Sequence, residues 1–347
     1  MESAFIAHLE GNYILVAGDN MGYENIVFPI PIFCNYQIPI SLDINADNPE
    51  LVSKIALRKR DDSNWIVDLI LNPMSAKQEL NLDWKCLVLI LDNGDNDKST
   101  DDVDTYLTSS LCVQSEHPEI QKKAFSLADP NKDLIKTVKN TLSFLQEVKF
   151  KSDGNYKGLD ALEALYHGGS CVSAANLTTA LLRANGIPAR ILATHPTWFG
   201  RHQTHYIIEA FIQDNGWVSL EPCMNRTPEP PQNNITVSVI RLEDENNSIL
   251  RWIYWQGVPY LSLPEKLTSG DIGFKCPPGG PHKAQIIKTI EVDGVEDNLC
   301  EFVKENYAYD NASKVRYNHS TAGSILKYTG TWNNLKDEYD KIIKATF

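Results

Sequence analysis

The sequence has no excess of positive charge. Its 347 residues carry 45 Asp and Glu against 32 Lys and Arg, a formal charge of -13. Nucleic acid as the main partner requires a basic footprint, and docking on an anionic membrane surface requires the same, so neither is expected. No run approaches the ~18 apolar residues that a membrane span needs. The opening MESAFIAHLEGNY lacks both a charged leader and a long apolar core, which excludes a signal or transit peptide at that point. The seven cysteines are odd in number and lack paired spacings, which argues against a disulfide framework. A cytoplasmic location is expected, and the N-x-[ST] matches at Asn176 and Asn234 then carry no meaning, because glycosylation needs a secretory route. There is no GxGxxG or P-loop glycine pattern, and so no nucleotide cofactor is expected.

What is present is an ordinary globular composition, 42% hydrophobic and 22% charged, in a chain long enough for two or three domains. Roughly the first 115 residues read as β structure. Ile40, Leu42 and Ile44 alternate with polar neighbours, and 65–71 and 86–91 are short apolar runs between turn-rich pieces. Several short strands at this spacing suggest a β-sandwich. The acidic stretch 92–104 matches no EF-hand, because glycine is missing from the sixth position, and reads as a solvated loop.

From about residue 130 the period becomes helical. Leu134, Val138, Leu142 and Leu145 form one stripe. A short helix fits 160–166, capped by Asp160 and stopped by Gly168-Gly169. A third helix starts near Cys171 and ends before Gly186 and Pro188. Strand-like runs follow at 189–193, 205–212 and 217–220, the last two joined by a turn at 214–216. A proline-rich stretch, 227–231, closes the block. Strands are expected at 252–255 and 286–292, and a helix at 335–343.

Gly168-Gly169-Ser170-Cys171 puts a cysteine at a helix start. A thiol there, beside a histidine, is favoured as thiolate. The glycines allow a sharp bend, and nearby amides can hold an oxyanion. A cysteine nucleophile needs a base and a group that fixes the base. His205 opens a strand, and Glu221 follows the next strand of the hairpin, within reach of a carboxylate–imidazole hydrogen bond. His195 and His202 are neighbours that compete for the base's role. Arg183, Arg190 and Glu209 read as structural. His202-x-x-His205 offers two metal ligands, but no CxxC or HExxH completes a site. Val172 breaks the G-x-S-x-G pattern of serine hydrolases.

In order, Gly169-Ser170-Cys171, the segment Leu181-Leu182-Arg183-Ala184-Asn185-Gly186-Ile187-Pro188-Ala189-Arg190, the His205 strand, Gly216-Trp217 and Glu221-Pro222 resemble the core of transglutaminase-like proteins over about residues 130–225. The resemblance implies an α+β fold with a papain-like core. It also implies Cys171 as nucleophile, His205 as base and Glu221 as third member, with no metal or organic cofactor. The expected chemistry is cysteine-dependent acyl transfer through a thioester, from an amide, ester or thioester donor to an amine or to water. The departures are Glu221 where Asp is usual, Tyr206 where Trp is usual, and no Trp between Trp84 and Cys171 to serve an oxyanion, for which Tyr156 or Tyr166 are substitutes. The alternative is a non-catalytic interaction module that keeps the fold. Three units are expected: a β-sandwich over 1–120, the core over 121–260 and a mixed α/β region over 261–347.

Overall fold

The computed structural model describes residues 3–91, 103–148, 159–246 and 272–291, apart from 19–21, 23, 33, 35, 61–63, 201–203, 214 and 276. The expectations for most of the acidic stretch, for 252–255 and for 335–343, as well as His202 and Tyr156, lie outside the described residues.

The N-terminal part supplies six strands: β1 (Ser3–Ala17), β2 (Glu24–Pro29), β3 (Gln37–Ala46), β4 (Val52–Lys59), β5 (Trp65–Leu71) and β6 (Glu79–Leu91). Alternation builds them as expected: Leu80, Leu82, Trp84 and Cys86 of β6 are buried, with more exposed residues between. They form two antiparallel sheets, β2-β5-β4 and a five-stranded sheet in which β6 lies between β1 and β3. The sheets meet where Phe28 stacks on Trp84, ring centroids 5.8 Å apart, with Tyr13 beside it. Gly11 lies opposite Trp84 in the β1–β6 register. A Cβ on Gly11 would sit 2.0 Å from the indole nitrogen, so only glycine lets the indole lie flat across β1.

The other neighbours of β1 come from far along the chain. β11 (Ile272–Lys275) and β12 (His282–Glu291), which follow the core, both pair antiparallel with β1. The strand expected at 286–292 is therefore real, and its partner is the start of the chain. The described part of 261–347 is these two strands.

The core begins with α1 (Pro118–Leu127), α2 (Leu134–Leu145), α3 (Ala161–His167) and α4 (Cys171–Ala184). Asp133 and Asp160 cap α2 and α3, accepting from the amides of Lys136 at 3.0 Å and Glu163 at 2.9 Å. Every residue from Val172 to Arg183 in α4 is buried, because α1, α2 and α3 pack around it and a sheet covers the remaining side. That sheet is antiparallel, in the order β10-β7-β8-β9. Its strands are β7 (Ala189–Pro196), β8 (His205–Ile212), β9 (Gly216–Leu220) and β10 (Asn234–Val239).

Two buried side-chain amides from the N-terminal part close the outer edge of β10. Gln37 donates to Thr236 O at 2.8 Å and accepts from Thr236 N at 2.8 Å. Asn64 does the same for Val239, at 2.8 and 2.7 Å. An open edge would invite pairing with another chain. Here two amides occupy it and tie the core to the N-terminal sheets. Behind α4, Arg183 makes a bidentate pair with Glu245 of α5 (Leu242–Glu245), both bonds 2.8 Å and both side chains buried. It also donates to Ala189 O at 2.9 Å.

Candidate active site

Three chain ends converge. Cys171 is the first residue of α4, His205 the first residue of β8, and Glu221 the residue after β9. α3 ends at Gly168 with φ 74°, and Gly169 follows with φ 146°. Both values lie in the region that side-chain-bearing residues avoid, so the pair lets the chain double back into α4. Ser170 occupies the cap position, but its hydroxyl makes no capping bond. Ser170 therefore leaves the amides of the first turn of α4 uncapped by its own side chain, and they point with the positive end of the helix dipole.

His205 Nε2 and Glu221 Oε2 are 2.6 Å apart. Glu221 is fully buried, and its other oxygen accepts from Cys223 N at 3.0 Å. The carboxylate is thus fixed at both oxygens, and the longer Glu side chain spans the gap without loss of contact. The Cys171 side chain lies close enough to the His205 ring to act on its charge.

The electrostatics follow from this arrangement. Burial disfavours a charged His205 ring, but the hydrogen bonds and negative charges of Cys171 and Glu221 outweigh burial and raise its pKa to about 10. Elsewhere in the structure, burial pushes the Cys34 thiol up to about 12. Cys86 and Cys223 are also driven up by burial, Cys223 further by the charges of Cys171 and Glu221.

The structure brings Cys171, His205 and Glu221 together and leaves the rival His195 out. His195 is buried in β7 against His282, ring centroids 4.1 Å apart. Tyr166 lies on the surface of α3 with its ring beside His167. Arg190 pairs with Glu209 at 2.7 Å and lies over Trp217 at 4.1 Å.

Sequence reasoning missed the next layer. Arg226 and Glu221 pair backbone to backbone in both directions, at 3.0 and 3.2 Å, across the turn that holds Pro222–Met224. The Arg226 Nε lies 3.2 Å from Glu229, whose side chain is almost fully buried and accepts from Asn233 and Asn234 at 3.0 and 3.1 Å. Burial raises the Glu229 pKa, and the bond from Asn233 and the charge of Arg226 oppose the rise. The guanidinium also lies 5.9 Å over the ring of Trp198, an exposed residue in the loop before His205. An acidic residue within a proline-rich stretch was the available signal for Glu229. It reads as a linker until the fold buries it.

Residues 120–222 match the family model of the transglutaminase-like superfamily core. This part of the chain is thus similar to the core of the transglutaminase-like superfamily. No curated protein matches the sequence. A candidate cysteine protease from Cytophaga hutchinsonii has a similar structure, with a TM-score of 0.56 and 15% identity over 84% of this chain and 92% of that one. The periplasmic domain of TgpA from Pseudomonas aeruginosa matches with a TM-score of 0.36 and 14% identity over 62% of this chain and 88% of that one. The first likeness extends past the transglutaminase-like core into the N-terminal sheets, and at that identity it concerns the fold alone. Among the described residues, no helix is long and apolar enough to cross a membrane.

Proposed function

We propose that the protein is a cysteine acyltransferase or hydrolase that works through a thioester on Cys171. The observation that carries this reading is the convergence of the Cys171 thiol, at the start of a helix, with a His205 ring that is bonded to the buried Glu221 carboxylate. Cys171 Sγ attacks the carbonyl carbon of an amide, ester or thioester. The C=O electron pair moves onto oxygen, which the first-turn amides of α4 receive. When the tetrahedral adduct collapses, the bond to the leaving group breaks and His205 supplies its proton. An amine or water then attacks the thioester while His205 takes the incoming proton. The C–S bond breaks and the sulfur leaves as thiolate. Glu221 holds the ring's orientation and balances its charge throughout.

The free thiols among the described residues suit a reducing compartment such as the cytoplasm. The contact of Phe28 with Trp84 supports reading 1–120 as a β-sandwich unit ahead of a core over 121–260. The test is to incubate the protein with a panel of amide, ester and thioester donors and measure its intact mass. An acyl adduct on Cys171 that hydroxylamine removes, and that Cys171→Ala lacks, is expected. If no donor leaves an adduct, the acyl-transfer reading fails and a binding module that keeps the fold takes its place.

A further inference from the structure

A cation stands beside the Glu221 end of the site. Arg226 sits opposite Glu221 in a closed backbone pair. Residues directly opposite on such a ribbon send their side chains to the same face, with Cα atoms about 5 Å apart. The Arg226 side chain therefore leaves on the face that carries the Glu221 carboxylate to His205. Its Nε lies at ion-pair distance, 3.2 Å, from Glu229 Oε2 with no hydrogen bond between them, and that carboxylate is only 1% exposed and accepts two asparagine amides at its other oxygen. The Arg226 side chain as a whole is 34% exposed, and its Cζ lies 5.9 Å from the centre of the Trp198 ring. Among the described residues, one Nη donor meets the thioether of Met224, a weak acceptor on an exposed side chain. A donor fixed in place, open to solvent and matched with a poor acceptor is prepared for a better one.

We infer that Arg226 is a specificity residue that receives a carboxylate carried by the acyl donor next to its reacting carbonyl. This rests on the acyl-transfer reading of Cys171. In it, the carboxylate of the donor displaces the Met224 sulfur from the Nη edge and makes charge-assisted hydrogen bonds, while Glu229 keeps the guanidinium from swinging away. Trp198 supplies the floor for the donor's apolar part. The formal charge of -13 disfavours anionic donors at long range, but salt screens such charges beyond about 8–10 Å, and one anchored guanidinium decides what binds within hydrogen-bonding reach.

The test needs no natural substrate. Iodoacetate and iodoacetamide differ only in carrying a carboxylate or a neutral amide one bond from the carbon that sulfur attacks. The second-order rates of both at Cys171, followed by mass mapping at one pH and ionic strength, give a ratio in which the general reactivity of the thiol cancels. The attraction of the His205 imidazolium for iodoacetate is common to wild type and variants. Arg226→Gln is expected to lower the iodoacetate-to-iodoacetamide ratio about tenfold, the size of a hydrogen bond to a charged group. Arg226→Lys, which keeps the charge but not the fork, loses part of it. The double variant Arg226→Gln/Glu229→Gln removes the pair together, so no buried carboxylate is stranded and net charge is unchanged. It is expected to show the same tenfold loss. A ratio unchanged in the double variant overturns the inference, and so does a fall in Arg226→Gln alone, which would then report only long-range charge. Wild-type Cys171 inert to iodoacetamide would instead strike at the acyl-transfer reading itself.

Discussion

Replacing Glu221 by Gln removes one charge from a fully buried site while keeping the side chain's shape. The amide can still face Cys223 N, but the bond to His205, 2.6 Å in the native protein, loses its ionic character. Hydrogen bonds to charged groups contribute about 1.5–3 kcal/mol, and about 1.4 kcal/mol corresponds to one pH unit. The His205 midpoint should then fall from about 10 to roughly 8–9. Proton-detected NMR of histidine labelled at Cε1 reads this directly, and the chain has only eight histidines to assign. Stability gives an independent check. Because the folded pKa of His205 lies above the ordinary 6.5, its contribution is fully present below pH 6.5 and is lost as pH rises through about 10. In Glu221→Gln that loss should be smaller and end one to two pH units earlier, as seen by denaturant unfolding at pH 6, 8 and 10. A midpoint that stays near 10 in the variant would refute the claim that this carboxylate holds the ring charged.

Further outcomes can be checked without a substrate. At pH 7, limiting iodoacetamide should label Cys171 ahead of Cys34, Cys86 and Cys223, whose thiols burial holds protonated; peptide mapping that finds Cys34 or Cys223 labelled equally fast contradicts this. Glu245→Gln should cost about 3–5 kcal/mol, because it strands a buried guanidinium, and thermal melting should report a Tm about 10 °C lower. Gly169→Ala forces φ 146° on a residue with a Cβ, at about 1–3 kcal/mol. Its labelling at Cys171 should slow more than its Tm falls, since the strain sits at the start of α4. Gly11→Ala drives a methyl into the indole of Trp84; tryptophan fluorescence and Tm should both change, and an unaltered Tm would mean that the indole does not lie across β1.

Legibility along the sequence followed the kind of signal available. α3 was readable to within a residue from its Asp160 cap and the glycines after it, and α2 from the stripe whose outer members, Leu134 and Leu145, are its ends. α4, β8 and β9 were as readable, because glycine punctuates them, whereas the run at 189–193 stops three residues short of the end of β7. α1 was not, since it buries only Ile120 and Ala124, too narrow a stripe to stand out. β10 was missed for the opposite reason: all six residues are buried, with Gln37 and Asn64 bonding to its outer edge, and a short Asn-Ile-Thr-Val-Ser-Val run does not announce partners nearly 200 positions earlier. At the site, Cys171, His205 and Glu221 could be picked out because the thiol, the imidazole and the carboxylate each occupy an element boundary that local rules mark. Arg226 and Glu229 could not. Their roles come from a backbone pair and from burial, and neither leaves a periodic trace in a proline-rich stretch.

The pairing of β1 with both β11 and β12 has a practical corollary. Strand β1 finds its outer neighbour only after everything up to β11 has left the ribosome, so that flank of β1 stays open throughout synthesis. Such distant pairing slows folding, and an unfilled strand flank is a template for self-association. A shortened version ending at residue 246, the obvious way to isolate the thiol-bearing half with its N-terminal support, would keep that flank bare permanently. Expression trials should therefore retain the chain through residue 291.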